Sequence, residues 1–125
     1  MAKQGTVAWS ELMTTEVAQA KEFYGKTLGL NFTGFDRTGE GNYWVAMADG
    51  DAAWGIMDMS SRPGAPTGWF TYLAVDDVDA RVVAATGAGG TLLMPAFDVP
   101  SVGRIAVLKD PTGAVIGLFK PTDRP

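Results

Sequence analysis

The chain has no histidine and no cysteine among its 125 residues. Without histidine, Ser-His-Asp nucleophilic catalysis and every metal site that uses imidazole are excluded. Without cysteine there are no disulfides, thiolate metal sites or thiol nucleophiles, a usage that fits a reducing cytosol. Positive charge is also short: 10 Lys and Arg stand against 14 Asp and Glu, for a net charge of −4. The basic residues are scattered, so nucleic acid, which needs a basic face for its phosphates, is not an expected partner. No apolar run approaches the roughly 18 residues a membrane span requires. Met1-Ala2-Lys3-Gln4-Gly5 has no signal-peptide core, so the expectation is a cytoplasmic protein with no membrane partner. A phosphate-cradling glycine loop is missing too, because Gly87-Ala88-Gly89-Gly90 follows a helical segment instead of opening one.

What is present is ordinary for one globular domain over 1–125: 46% apolar and 19% charged residues. Its organising feature is a repeat. Trp9-Ser10-Glu11-Leu12-Met13-Thr14-Thr15-Glu16-Val17 returns as Phe70-Thr71-Tyr72-Leu73-Ala74-Val75-Asp76-Asp77-Val78, 61 residues later. In each copy an alternating apolar run ends at an acidic helix start. The first copy places Val7, Trp9, Glu11 and Met13 on one face of a strand. Thr14 and Thr15 offer hydroxyl caps, and Glu16 suits the positive first turn of a helix. Val17, Ala20, Tyr24 and Leu28 form its apolar stripe, and Gly29 ends it.

Strand-like runs follow over about 30–36, 43–48 and 52–59, separated by turn segments at Arg37–Asn42 and Asp49–Asp51. The Pro/Gly/Ser-rich stretch 60–68 reads as a linker. The second half repeats the order: a strand over about 69–75, a helix over 77–86 with stripe Val78, Val82 and Ala85, then strands near 90–96, 104–109 and 114–120. Asp110-Pro111-Thr112-Gly113 reads as a hairpin turn. The pattern is β-α-β-β-β twice, with a first unit over 7–59 and a second over 69–121. It predicts an α+β fold.

Several of these segments resemble the vicinal-oxygen-chelate superfamily, which includes glyoxalase I, extradiol dioxygenases, methylmalonyl-CoA epimerase and the bleomycin and fosfomycin resistance proteins. They are Trp9–Glu16, Ala20-Lys21-Glu22-Phe23-Tyr24 with Leu28-Gly29-Leu30, Val75–Ala80, and Lys109-Asp110-Pro111-Thr112-Gly113. The resemblance covers about 7–121 and points to a metal-poor branch. It implies two βαβββ units forming a cupped eight-stranded sheet with the helices outside and a ligand in the concave face. It also implies a homodimer. By position, the metal ligands of such enzymes fall here on Trp9, Gly55, Phe70 and Gly117, none of which offers a metal-binding side chain. The expectation is therefore no metal and no cofactor, with metal-dependent glyoxalase I or dioxygenase chemistry disfavoured.

On that face the expected ligand-binding residues are Trp9, Glu11, Gly55, Met57, Phe70, Tyr72, Phe97 and Gly117. Trp9 and Phe70 either stack a flat ligand or fill the core. Glu11 and its repeat partner Tyr72 are the candidate catalytic pair. A carboxylate among aromatics is desolvated toward a pKa useful for proton transfer, although bonding to backbone N–H groups or to Arg104 is the structural alternative. Gly55 and Gly117, with Ala53 and Val115, keep a wall shallow or allow close strand packing. Phe97 and Tyr43, on segments 95–103 and 35–43, are candidate lids. Asp76-Asp77-Val78-Asp79 fits helix capping better than a metal loop. The leading function is binding of a small, partly aromatic molecule. The alternative is a metal-independent lyase, isomerase or hydrolase using Glu11 with Tyr72.

Overall fold

The computed structural model describes residues 3–35 and 42–122. Of the turn expected at Arg37–Asn42, residues 37–41 lie outside the described residues. The elements run β1 (Val7–Thr14), α1 (Val17–Leu28), β2 (Asn31–Gly34), β3 (Tyr43–Ala48) and β4 (Asp51–Asp58), then β5 (Gly68–Ala74), α2 (Val78–Gly87), β6 (Thr91–Val99), β7 (Gly103–Lys109) and β8 (Val115–Pro121). This is the tandem βαβββ order of an α+β fold, with mixed strand pairing. None of the described helices is long and apolar enough to cross a membrane.

The chain divides into two compact units, one of Trp9–Trp69 and one of Phe70–Pro125 with Met1–Ala8. In the first, the strand order is β2-β3-β4-β1. β1 runs parallel to β4, pairing Glu11 with Gly55, Leu12 with Ile56 and Met13 with Met57, while β3 is antiparallel to β4. Asp49 and Gly50, at φ 50° and 84°, make the tight β3–β4 turn, where two successive left-handed residues match the twist of the strands. In the second unit the order is β5-β8-β7-β6. β5 runs parallel to β8, with Tyr72 across from Gly117 and Leu73 across from Leu118. The alternation read in the sequence thus becomes two halves in equivalent register, burying Leu12, Ala46 and Ile56 in one and Ala74, Ala106, Leu108 and Leu118 in the other.

The helices differ in detail from expectation. α1 ends at Gly29 in the left-handed conformation, φ 70°, with its N–H on the Gly25 carbonyl. Its N-cap is Glu16, which makes no side-chain cap. The Thr14 hydroxyl instead accepts the Glu16 N–H at 3.0 Å and closes the turn before the helix. Leu28, expected on the apolar stripe, is exposed, while Tyr24 packs edge-on against Trp54 and Trp69. α2 is capped by Asp77, whose carboxylate accepts the Ala80 N–H, and it anchors through buried Val78. It runs through Gly87 to a cap at Ala88.

Segment 95–103 is not a loop over its whole length: β6 continues to Val99, leaving a turn at Pro100–Val102. Pro95 is tolerated there because β6 is an edge strand and its register shifts on either side of Met94, so no ladder bond is demanded of the proline nitrogen. The Asp110–Gly113 turn forms as expected. Asp110 accepts from the Thr112 N–H, the Thr112 hydroxyl and the Ala114 N–H, and Gly113 takes φ 100°.

Candidate functional site

Glu11 lies in β1, directly across from Gly55, and is 3% exposed. Its carboxylate accepts a hydrogen bond from the Tyr43 hydroxyl at 2.8 Å. The same hydroxyl accepts the Trp9 indole N–H at 2.7 Å. An indole N–H only donates, so the phenol must accept from Trp9 and has its single proton for Glu11. The direction of the chain Trp9 → Tyr43 → Glu11 is fixed by chemistry. Tyr43 is itself 3% exposed, so it is a buried member of this constellation and not a lid.

Gly55 explains how the phenol arrives. A Cβ at Gly55 would collide with the Tyr43 ring and hydroxyl, so the ring occupies the space that any larger residue would need. Half-buried Met57 lies across from both Tyr43 and Met13. Trp9, Glu11, Gly55 and Met57, four of the residues expected from sequence, are therefore gathered in one unit. Tyr43 completes them.

The other four fall in the second unit. Tyr72 is across from Gly117, and a Cβ at Gly117 would collide with the Tyr72 ring and come within 3.0 Å of Phe70. Phe70 meets Tyr72 edge-on at 4.9 Å, and Tyr72 meets Phe119 at 6.3 Å. Both glycines thus seat a tyrosine ring. Phe97, on β6, continues a cross-strand row through Ile105 to Phe119 and is 39% exposed.

At the four positions where the resemblance puts metal ligands stand an indole, a phenyl ring and two glycines, so the residues present do not fit a metal there. Among the described residues, no three His, Cys, Asp or Glu side chains come together to hold a metal ion. The acidic cluster at the start of α2 is engaged otherwise. Asp76 receives two hydrogen bonds from Arg81 and one from Gln4, and Arg81 foremost pulls its carboxyl down to about 2. Asp79 is bidentate with Arg104, which also lowers its pKa. Arg104, held by Asp79 and by Asp98, is pushed still further toward permanent protonation.

A family model described as Glyoxalase/Bleomycin resistance protein/Dioxygenase superfamily matches residues 6–118. The chain is 42% identical over 123 residues to "Putative glyoxylase CFP32" of Mycobacterium tuberculosis, covering 94% of this chain and 46% of that protein. It is 33% identical to "Anthracycline biosynthesis protein DnrV" of Streptomyces peucetius, covering 93% of this chain and 47% of the relative. The chain spans about half the length of these relatives. Among solved structures, methylmalonyl-CoA epimerase from Mycobacterium tuberculosis superposes with a TM-score of 0.66 at 20% identity, over 98% of this chain and 93% of that one. The Mn(II)-bound glyoxalase from Novosphingobium aromaticivorans gives a TM-score of 0.67 at 16% identity, over 100% of this chain and 44% of that one. At these identities the likeness concerns the fold. Register, repeat and family match agree: the chain belongs to the glyoxalase/bleomycin resistance protein/dioxygenase superfamily.

Proposed function

We propose that this protein binds a small, partly aromatic molecule carrying a positive charge, without a metal, through the face bearing Trp9, Glu11, Met57 and Tyr43. The observation that carries the reading is the buried Glu11 carboxylate, oriented by a phenol that is itself oriented by an indole. In surroundings of low polarity a carboxylate attracts a cation over several ångströms, so a ligand ammonium gains from Glu11 even at the edge of the side chain. Trp9 and Met57, both half-buried, offer an aromatic plane and an adaptable thioether for the ligand's flat part. The relative named for anthracycline biosynthesis supports a flat polycyclic ligand class. Cytoplasmic residence and assembly as a homodimer belong to the same reading.

Daunorubicin, a planar polycycle with an amino sugar, is the probe. Equilibrium dialysis should give saturable binding that weakens about tenfold in Glu11→Gln and less in Tyr43→Phe, as expected for loss of one charge-assisted contact. Absence of binding well above micromolar concentration, or identical binding by Glu11→Gln, contradicts the proposal.

The Glu11–phenol contact favours a second reading, proton transfer by a metal-independent lyase or isomerase. Glu11 would take the proton, and Tyr43 would steady the carboxylate. It is separated from pure binding by turnover: Glu11→Gln would abolish product formation and Tyr43→Phe would slow it.

A further inference from the structure

A cleft within the Phe70–Pro125 unit stands apart from the Glu11 reading. The turn between β6 and β7 and the end of β8 enclose an open cleft of about 320 Å³, lined by Asp98, Val99, Pro100, Ser101, Arg104 and Lys120 among others. That volume is at the lower end of small-molecule sites. Arg104 and Lys120 are direct cross-strand partners, so both project from the same face of the unit. Gly117 and Phe119 alternate to the opposite face, which carries Tyr72.

Two cations opposite each other on neighbouring strands repel. One of them is neutralised. Arg104 donates to Asp79 through Nε and Nη2 and to Asp98 through Nη1, which immobilises the guanidinium and engages three of its N–H groups. Lys120 enters no ion pair among the described residues, and it lines the cleft across from the fixed guanidinium of Arg104. Ser101 supplies a hydroxyl at the rim from a left-handed backbone, φ 66°, a conformation uncommon for a residue with a side chain. Val99, Pro100 and Pro121 give the cleft its apolar wall.

We infer that this cleft binds a small monocarboxylate with a compact apolar body, its carboxylate on Lys120 and Ser101 and its body on Val99, Pro100 and Pro121. The charge balance selects the class. Among the described residues, Lys120 is the cation of the cleft without a carboxylate partner, whereas the Asp98 carboxylate at its edge opposes a second negative charge and disfavours phosphate or a dicarboxylate.

The test is a 15N NMR titration of the full chain with sodium benzoate, compared with benzamide and with inorganic phosphate. Benzoate should shift the amides of Ser101, Gly103, Arg104, Lys120 and Thr122 with millimolar saturation, benzamide should leave them unmoved, and phosphate should bind more weakly. Lys120→Gln, a change at a half-buried side chain whose retained fold the same spectra report, should raise the benzoate dissociation constant about fivefold or more, and Ser101→Ala by less. Equal shifts from benzamide, no response at these amides, tighter binding of phosphate, or an unchanged constant in Lys120→Gln would each overturn the assignment.

Discussion

The two units share a backbone plan and differ in what fills it. Each places a glycine of its last strand opposite the middle of its first: Gly55 opposite Glu11, and Gly117 opposite Tyr72. In each a tyrosine ring lies over the glycine. The ring's source is what differs. Tyr72 comes from the facing position itself, on β5, so that position cannot also hold an acid. In the other unit the ring comes from β3, whose equivalent place in the second unit, across from Phe119, is Ile105. Supplying the ring from the other side frees the β1 position for a carboxylate. The repeat has thus diverged into one half with a directed polar chain and one half with an all-aromatic cluster of Phe70, Tyr72 and Phe119.

The strongest way to break this comparison is to fill the glycines. Gly55→Ala and Gly117→Ala should each cost about 3 kcal/mol in denaturant unfolding, because a methyl group there must displace a packed ring. A loss below 1 kcal/mol at either site would mean the ring moves freely and is not seated by the glycine. Next in size is Tyr43→Phe. It removes both an acceptor for Trp9 and a donor to Glu11 in a buried place, for about 2 kcal/mol, and should shift the indole N–H resonance of Trp9. Ile105→Val, at the equivalent position, removes only a methylene, for about 1 kcal/mol, and should leave that resonance in place.

The smallest effect belongs to the exposed ion pairs of α2. Folding lowers the Asp76 carboxyl from 3.8 to about 2, so its contribution is complete above the ordinary carboxylate range and disappears as pH falls through about 2. NMR titration should place its midpoint there, with Arg81→Gln returning it toward 3.8. The stability change is expected to be slight, because the pair is solvent-exposed and screened.

Much of this was legible in the sequence, for identifiable reasons. The 61-residue offset between Val17 and Val78 placed both helices and the strands entering them, because hydrophobic periodicity and capping are local. Gly55 and Gly117 were readable as positions of close approach. Tyr43 was harder to place. It follows a polar, glycine-containing segment that reads as loop, and only the pairing of β3 with β4, a contact distant in sequence, carries its ring over Gly55. Reading a strand glycine as the seat of an aromatic ring would have prompted a search for that ring. The end of β6 was hidden for a similar reason: Pro95 and the residues after it read as loop unless the strand is known to lie at a sheet edge.

The central claim, that Glu11 recognises the charge of a bound molecule, is tested most directly by a coupling measurement. Calorimetric titration would compare daunorubicin with its amine-free analogue, in the native chain and in Glu11→Gln. The account predicts that removing the amine weakens binding about tenfold in the native chain and hardly at all in Glu11→Gln. An equal loss in both proteins would show that the ammonium and Glu11 do not interact, and would contradict it.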